Sequence, residues 1–258
     1  MIGKIRSTIL LLVVVTGLIA CAANLQRDAA SLKASAVNTE LGIHYLRENN
    51  SVYAMEKLTK ALKQNPKNPD AHNAIALLYV RLGEVQDAEE HFNQAVKLNP
   101  DNASFHVSYG AFLCQRNQLA EADKHFLEAL KNPLYTRYEI AYTNAGNCAM
   151  RGGDTQKAED YFRSALKVNP KFPPALYQMA KLNVMKKNYM SGRAYLQRYV
   201  ELGRPSARIL WLRIQVEKEL GDKNAVSSMT LLLKDRYPDS DEVKELREME
   251  KNERSSGK

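Results

Sequence analysis

The chain has 258 residues, is 45% hydrophobic and 26% charged, and carries 37 Lys and Arg against 29 Asp and Glu, a formal net charge of +8. That balance excludes collagenous and wholly disordered chains, and three cysteines exclude a disulfide-dense miniature scaffold. A positive excess raises nucleic acid or an anionic surface as a partner, but the basic residues read as spread among acids, without an Arg/Lys cluster interleaved with aromatics. A solvated surface is therefore expected, with no nucleic-acid partner.

At the start, Lys4 and Arg6 precede an apolar run over residues 9–19 that only Thr16 and Gly17 interrupt. A basic end, about a dozen apolar residues and a small residue before a cut predict a signal peptide over 1–20, since the run is short for a spanning helix. The alternative is an uncleaved anchor. Leu18-Ile19-Ala20-Cys21 resembles a bacterial lipobox, which implies that Cys21 is lipidated and becomes the first mature residue. Each buried acyl methylene would add roughly 0.8 kcal/mol to membrane attachment. Ala22 in place of Asp implies sorting to the outer membrane. Residues 21–34 then read as the lipidated Cys and a tether that turns helical toward Ser31.

From residue 35 a beat takes over: Ala, a large apolar residue, Ala and Pro. It reads Ala54, Leu58, Ala61, Pro66, then Ala88, Phe92, Ala95, Pro100. The next two rounds are Ala122, Phe126, Ala129, Pro133 and Ala158, Phe162, Ala165, Pro170. Successive first alanines are 34, 34 and 36 residues apart, a period that marks stacked units whose apolar faces need neighbours. Each unit also has an earlier stripe at helical spacing, such as Ile75, Ala76 and Tyr79, closed by Gly83 at the fifteenth slot. Two helices per unit follow, and the Pro at slot thirty-two ends the second.

This spacing resembles the tetratricopeptide repeat, which implies an all-α, right-handed superhelical solenoid of six helix pairs. The units run 35–68, 69–102, 103–138, 139–172, 173–206 and 207–238. The last two are degenerate: Gly192 and Tyr199 replace small residues in one, and Val226 and Leu233 do so in the other. Residues 239–258 are expected to form a capping helix, on Val243, Leu246 and Met249, followed by a charged tail.

The sequence carries no phosphate loop, nucleophile elbow or two-cysteine metal pattern. His72 and His106 share slot four, and His91 and His125 share slot twenty-three, so they read as repeat positions. No catalytic residue, metal, cofactor or small-molecule substrate is expected. Cys114 and Cys148 occupy slots twelve and ten of neighbouring first helices, which pack side by side, so a disulfide is expected in an oxidising compartment if the geometry allows; the alternative is two free buried thiols.

Without chemistry, the groove lined by the first helices is the expected site. Its apolar N-terminal part is read as Thr39, Ile43, Leu46, Asn73, Leu77, Val80, Val107 and Ala111. Gln215 and Lys218 make the far end polar. Such a groove suits a helix or strand with spaced apolar anchors, unless the chain's own tether fills it.

The stretches 73–79, 108–114 and 144–149 are similar to the type IV pilus biogenesis and stability lipoproteins, the PilF/PilW family, although Ser108 stands where the family has Asn. That resemblance implies a pilotin: an outer-membrane lipoprotein on the periplasmic face, monomeric when free. It would bind the secretin subunit and promote its localisation and multimer assembly. The alternative is a general periplasmic lipoprotein scaffold for another envelope complex.

Overall fold

In a computed structural model of the chain, residues 26–255 are described; the expected signal peptide, the expected lipidation site at Cys21 and residues 256–258 lie outside them. The described residues form thirteen helices and no strand. After α1, over residues 26–47, come α2 (Ser51–Gln64), α3 (Pro69–Leu82), α4 (Val85–Leu98), α5 (Ala103–Gln115) and α6 (Leu119–Lys131). Then follow α7 (Tyr138–Arg151), α8 (Thr155–Val168), α9 (Pro173–Met185), α10 (Tyr189–Val200), α11 (Ala207–Glu219), α12 (Lys223–Arg236) and α13 (Asp241–Ser255). The chain divides into two compact units, residues up to Phe112 and residues from Leu113, with the boundary inside α5.

Local chemistry sets the ends of these helices. Gly83 takes the left-handed conformation at φ 83°, which costs a residue without Cβ nothing, and stops α3. Asn65 and Asn169 each precede a proline, which disfavours helical backbone, and both are extended. Their side-chain oxygens then accept from the amides of Lys67 and Lys171 at 3.0 and 3.1 Å, closing the turn into the next helix. Asn50, Asn68, Asp154 and Asp222 cap the helices that follow them.

In the first unit, Leu46, Ala54, Leu58, Ala74, Ile75 and Leu78 form one core cluster. Phe92, fully buried on α4, stacks on Tyr109 and meets Phe112 at a tilt, at 5.5 and 5.3 Å between ring centres. The second unit repeats the motif. Ala158, Phe162 and Ala165 are fully buried against Ala175, Leu176, Met179 and Leu182. Gly146 lies under the Phe162 ring, where an added Cβ would overlap the aromatic carbons. The bulky residue at slot twenty-four therefore needs the small residue opposite it.

The degenerate repeats keep this plan with larger residues. Leu196, Ile209, Leu212 and Val216 pack around Ala180, and Gly192 is buried beside Val184 and Val216. In α12 only Leu233 is buried. It joins Leu210, Ile214, Val243 and Leu246, so α13 covers the last pair with an apolar stripe on an otherwise charged helix.

One boundary differs from the sequence reading. Residues 26–34, expected as tether, continue the same helix as the first repeat. The reason is anchorage: Ser31 and Ser35 hydroxyls donate to the carbonyls of Gln64 and Ala61, both at 2.8 Å, tying α1 to the end of α2.

Candidate partner-binding face

The eight groove residues of the sequence reading fall in the first unit, and they divide. Thr39, Leu46 and Val107 are 3%, 7% and 7% exposed and belong to the interior. Thr39 donates to Ser35 O at 2.8 Å and accepts from the Asn68 amide at 3.1 Å. Asn68 also donates to Ser35 Oγ at 2.9 Å while capping α3 through its oxygen. Slot five of the first repeat is thus occupied by a polar clamp between α1 and the α2–α3 turn, a role that spacing alone does not reveal. Leu46 belongs to the core cluster because α1 packs tightly on α2 and α3.

The remaining five residues reach the surface to different degrees. Leu77 is 42% exposed, whereas Ile43, Asn73, Val80 and Ala111 are half-buried. Asn73, Leu77 and Val80 lie at i, i+4 and i+7, one stripe of α3. Asn73 Oδ1 is buried and accepts no hydrogen bond among the described residues. An unmet buried acceptor costs about 1–3 kcal/mol. Arg81 fixes the stripe's far end by donating to Leu46 O at 2.8 Å. The surface offered is narrow, with Leu77 as its exposed apolar side chain.

His72 and His91 form a feature hidden by their regular repeat phase. Their Nδ1 atoms are 2.9 Å apart, and His72 Nε2 is 3.0 Å from Pro66 O. The carbonyl only accepts, so neutral His72 carries its proton on Nε2. Its Nδ1 then accepts from His91 Nδ1–H. Burial, followed by the charge of His72, pushes the His91 imidazole below its ordinary pKa, while Glu90 and Asp87 pull weakly upward.

In the second unit, Cys114 and Cys148 are disulfide-bonded, with Cα atoms 5.6 Å apart. Glu217, 3% exposed, accepts from Arg193 on α10, with Asp222 as a second carboxylate 3.5 Å from the same guanidinium. Glu159 is held below the usual carboxylate range by hydrogen bonds from Lys186 and Arg163. A cleft of about 420 Å³ opens between the starts of α9 and α11, lined by Pro173, Tyr177, Tyr199, Ala207 and Arg208 among others. Among the described residues, no group of three or more His, Cys, Asp or Glu is placed to hold a metal, and no helix is long and apolar enough to cross a membrane.

The tetratricopeptide-repeat family profiles match residues 45–106 and 140–172. Over 221 residues the chain is 29% identical to the type IV pilus assembly protein PilF of Pseudomonas aeruginosa, covering 86% of this chain and 88% of that one. The solved structure of Pseudomonas aeruginosa PilF superposes with a TM-score of 0.75 at 30% identity, over 85% of this chain and 99% of that one. That of PilW, described as a widely conserved type IV pilus biogenesis factor, gives a TM-score of 0.76 at 31% identity, over 82% and 97%. With helix pairs, repeat register and sequence all in agreement along almost the whole of these relatives, the chain belongs to the PilF/PilW family of type IV pilus tetratricopeptide-repeat proteins.

Proposed function

We propose that this protein acts in type IV pilus biogenesis as an outer-membrane pilotin, anchored through lipid on Cys21, that binds the pilus secretin subunit and promotes its multimer assembly. The observation that carries the reading is the likeness to PilF and PilW at 30% and 31% identity over nearly their full length. The α3 stripe supports it: an exposed Leu77 between Asn73 and Val80 suits an extended or helical partner segment with one apolar anchor. In this reading the acyl chains deliver and the stripe holds. The binding energy comes from burying Leu77, which is 42% exposed.

Cross-linked pull-down from native envelopes tests the partner: a secretin as the dominant protein is expected, and recovery of a different envelope complex in its place would indicate a general scaffold. Cys21→Ala should leave the repeats folded and strand the secretin away from the outer membrane. Multimeric secretin reaching the outer membrane in that variant would end the pilotin reading. Leu77→Glu with Val80→Glu should cut partner capture at least tenfold with unchanged thermal unfolding, because both positions are surface-accessible; unaltered capture would move the interface off α3.

A further inference from the structure

The second unit carries a surface feature that partner binding on α3 does not use. The even spread of charge expected from composition fails here: residues 163–213 contain eleven Lys and Arg and a single acid, Glu201. Three of this unit's exposed apolar residues lie near some of them, whereas Lys186 and Lys187 lie with exposed Met185 and Met190 at the opposite α9–α10 turn. Leu134, Val168 and Leu202 are 86%, 48% and 38% exposed and sit at the turns α6–α7, α8–α9 and α10–α11.

These turns lie along one edge. Each feeds the first helix of the next pair, α7, α9 or α11, and α9 packs against both α7 and α11. Because short turns reverse the chain twice per pair, those three helices run in the same direction, so their N-terminal turns come side by side. A direct link confirms the adjacency: Arg198, at the end of α10, donates to Pro170 O in the α8–α9 turn at 2.7 Å. Exposed bases flank each apolar tip, Arg137 beside Leu134, Lys167 and Lys171 beside Val168, and Arg204 beside Leu202. The acids on the edge are Glu128, which holds Lys131 at 2.7 Å, Glu139 in the first turn of α7, Glu201, and Glu242 at the start of α13 near Arg208.

We propose that this edge of the second unit rests on an anionic phospholipid bilayer. The three apolar tips enter the headgroup boundary and the flanking Lys and Arg meet the lipid phosphates. Two features favour a bilayer over an acidic protein. Single side chains on successive turns need no shape-matched hollows in a fluid interface, whereas a protein would need three, in register. Interleaved basic and apolar residues are also the composition that binds at the headgroup level, where each charge and each buried apolar group adds separately. The contact is independent of how the N terminus is attached, since it involves residues 131–204 alone.

Vesicles of phosphatidylcholine with about one-third phosphatidylglycerol test it against phosphatidylcholine alone, comparing full chains with identical N termini. Lys171→Glu with Arg204→Glu should weaken partitioning onto the anionic vesicles about tenfold or more, since roughly one unit of attraction per charge is reversed twice. It should leave the neutral vesicles and the unfolding midpoint unchanged. Leu134→Trp, read as a difference from the wild-type chain with its one Trp, should shift to shorter wavelength and be quenched by brominated lipid. Asn224→Trp, at the opposite α11–α12 turn, should not. Equal partitioning of the charge-reversed and wild-type chains would overturn the proposal, as would equal quenching at the two positions. The same holds if charge reversal abolishes capture of a protein while vesicle binding stays at the wild-type level.

Discussion

His91 shows how one side chain couples the fold to pH. Its folded pKa lies below the ordinary value of about 6.5 because burial and His72 disfavour the imidazolium. The unfolded chain therefore binds the proton more readily, and stability rises with pH. The contribution is complete above the ordinary histidine pKa and is lost as pH falls through that value toward the folded one. The urea midpoint should drop between pH 7.5 and 5.5, and His91→Gln should flatten that slope; an identical slope in the variant would show the histidine to be a bystander. Arg193 is the second informative residue. Removing it with Arg193→Ala leaves Glu217 buried without its partner and should cost about 3–5 kcal/mol in denaturant unfolding. Arg193→Met with Glu217→Leu removes both charges and should recover most of that loss. Neither histidine pair nor ion pair was legible in the sequence: residues 19 and 24 positions apart meet only because antiparallel helices bring them together.

At the scale of the helix, the repeat slots state their own energetics. Leu58, Phe92, Phe126 and Phe162 share slot twenty-four, and all four are fully buried. Phe162→Ala should cost about 3–5 kcal/mol, the transfer of a large ring plus the cavity left above Gly146. Chemical denaturation measures it, and a loss under 1 kcal/mol would mean that α7 and α8 collapse into the space. The slots also explain where the reading of the groove failed. A helical stripe has breadth, and its margins turn inward: Leu46 and Val107 fall on the buried margin and Leu77 on the open one. Thr39 was placed on the groove by its repeat slot, but Asn68 and Ser35 satisfy its hydroxyl inside the structure. Period and phase locate a face to within one neighbouring row; contacts from adjacent helices decide which row is wet.

For the molecule as a whole, the disulfide and the last helix are the devices that secure the second unit. The bridge closes a segment of 34 residues, so in the chain-entropy account it removes roughly 3–4 kcal/mol of freedom from the unfolded state. Cys114→Ser with Cys148→Ser should lower stability by about that amount without altering far-ultraviolet dichroism; an unchanged denaturation midpoint would contradict the linkage. The order of helices, the repeat frame and the fully buried slots follow from the sequence alone, because a periodic pattern of small, bulky and helix-ending residues is local information repeated many times. The cysteine positions, too, showed that a bridge was sterically open. Only the tertiary structure decided that the bridge forms, that Thr39 is interior, that two histidines are hydrogen-bonded to each other, and that Arg137, Lys167, Lys171 and Arg204 flank three apolar turns on a single edge. Those outcomes depend on distances between segments remote in the chain, which packing fixes and periodicity does not encode.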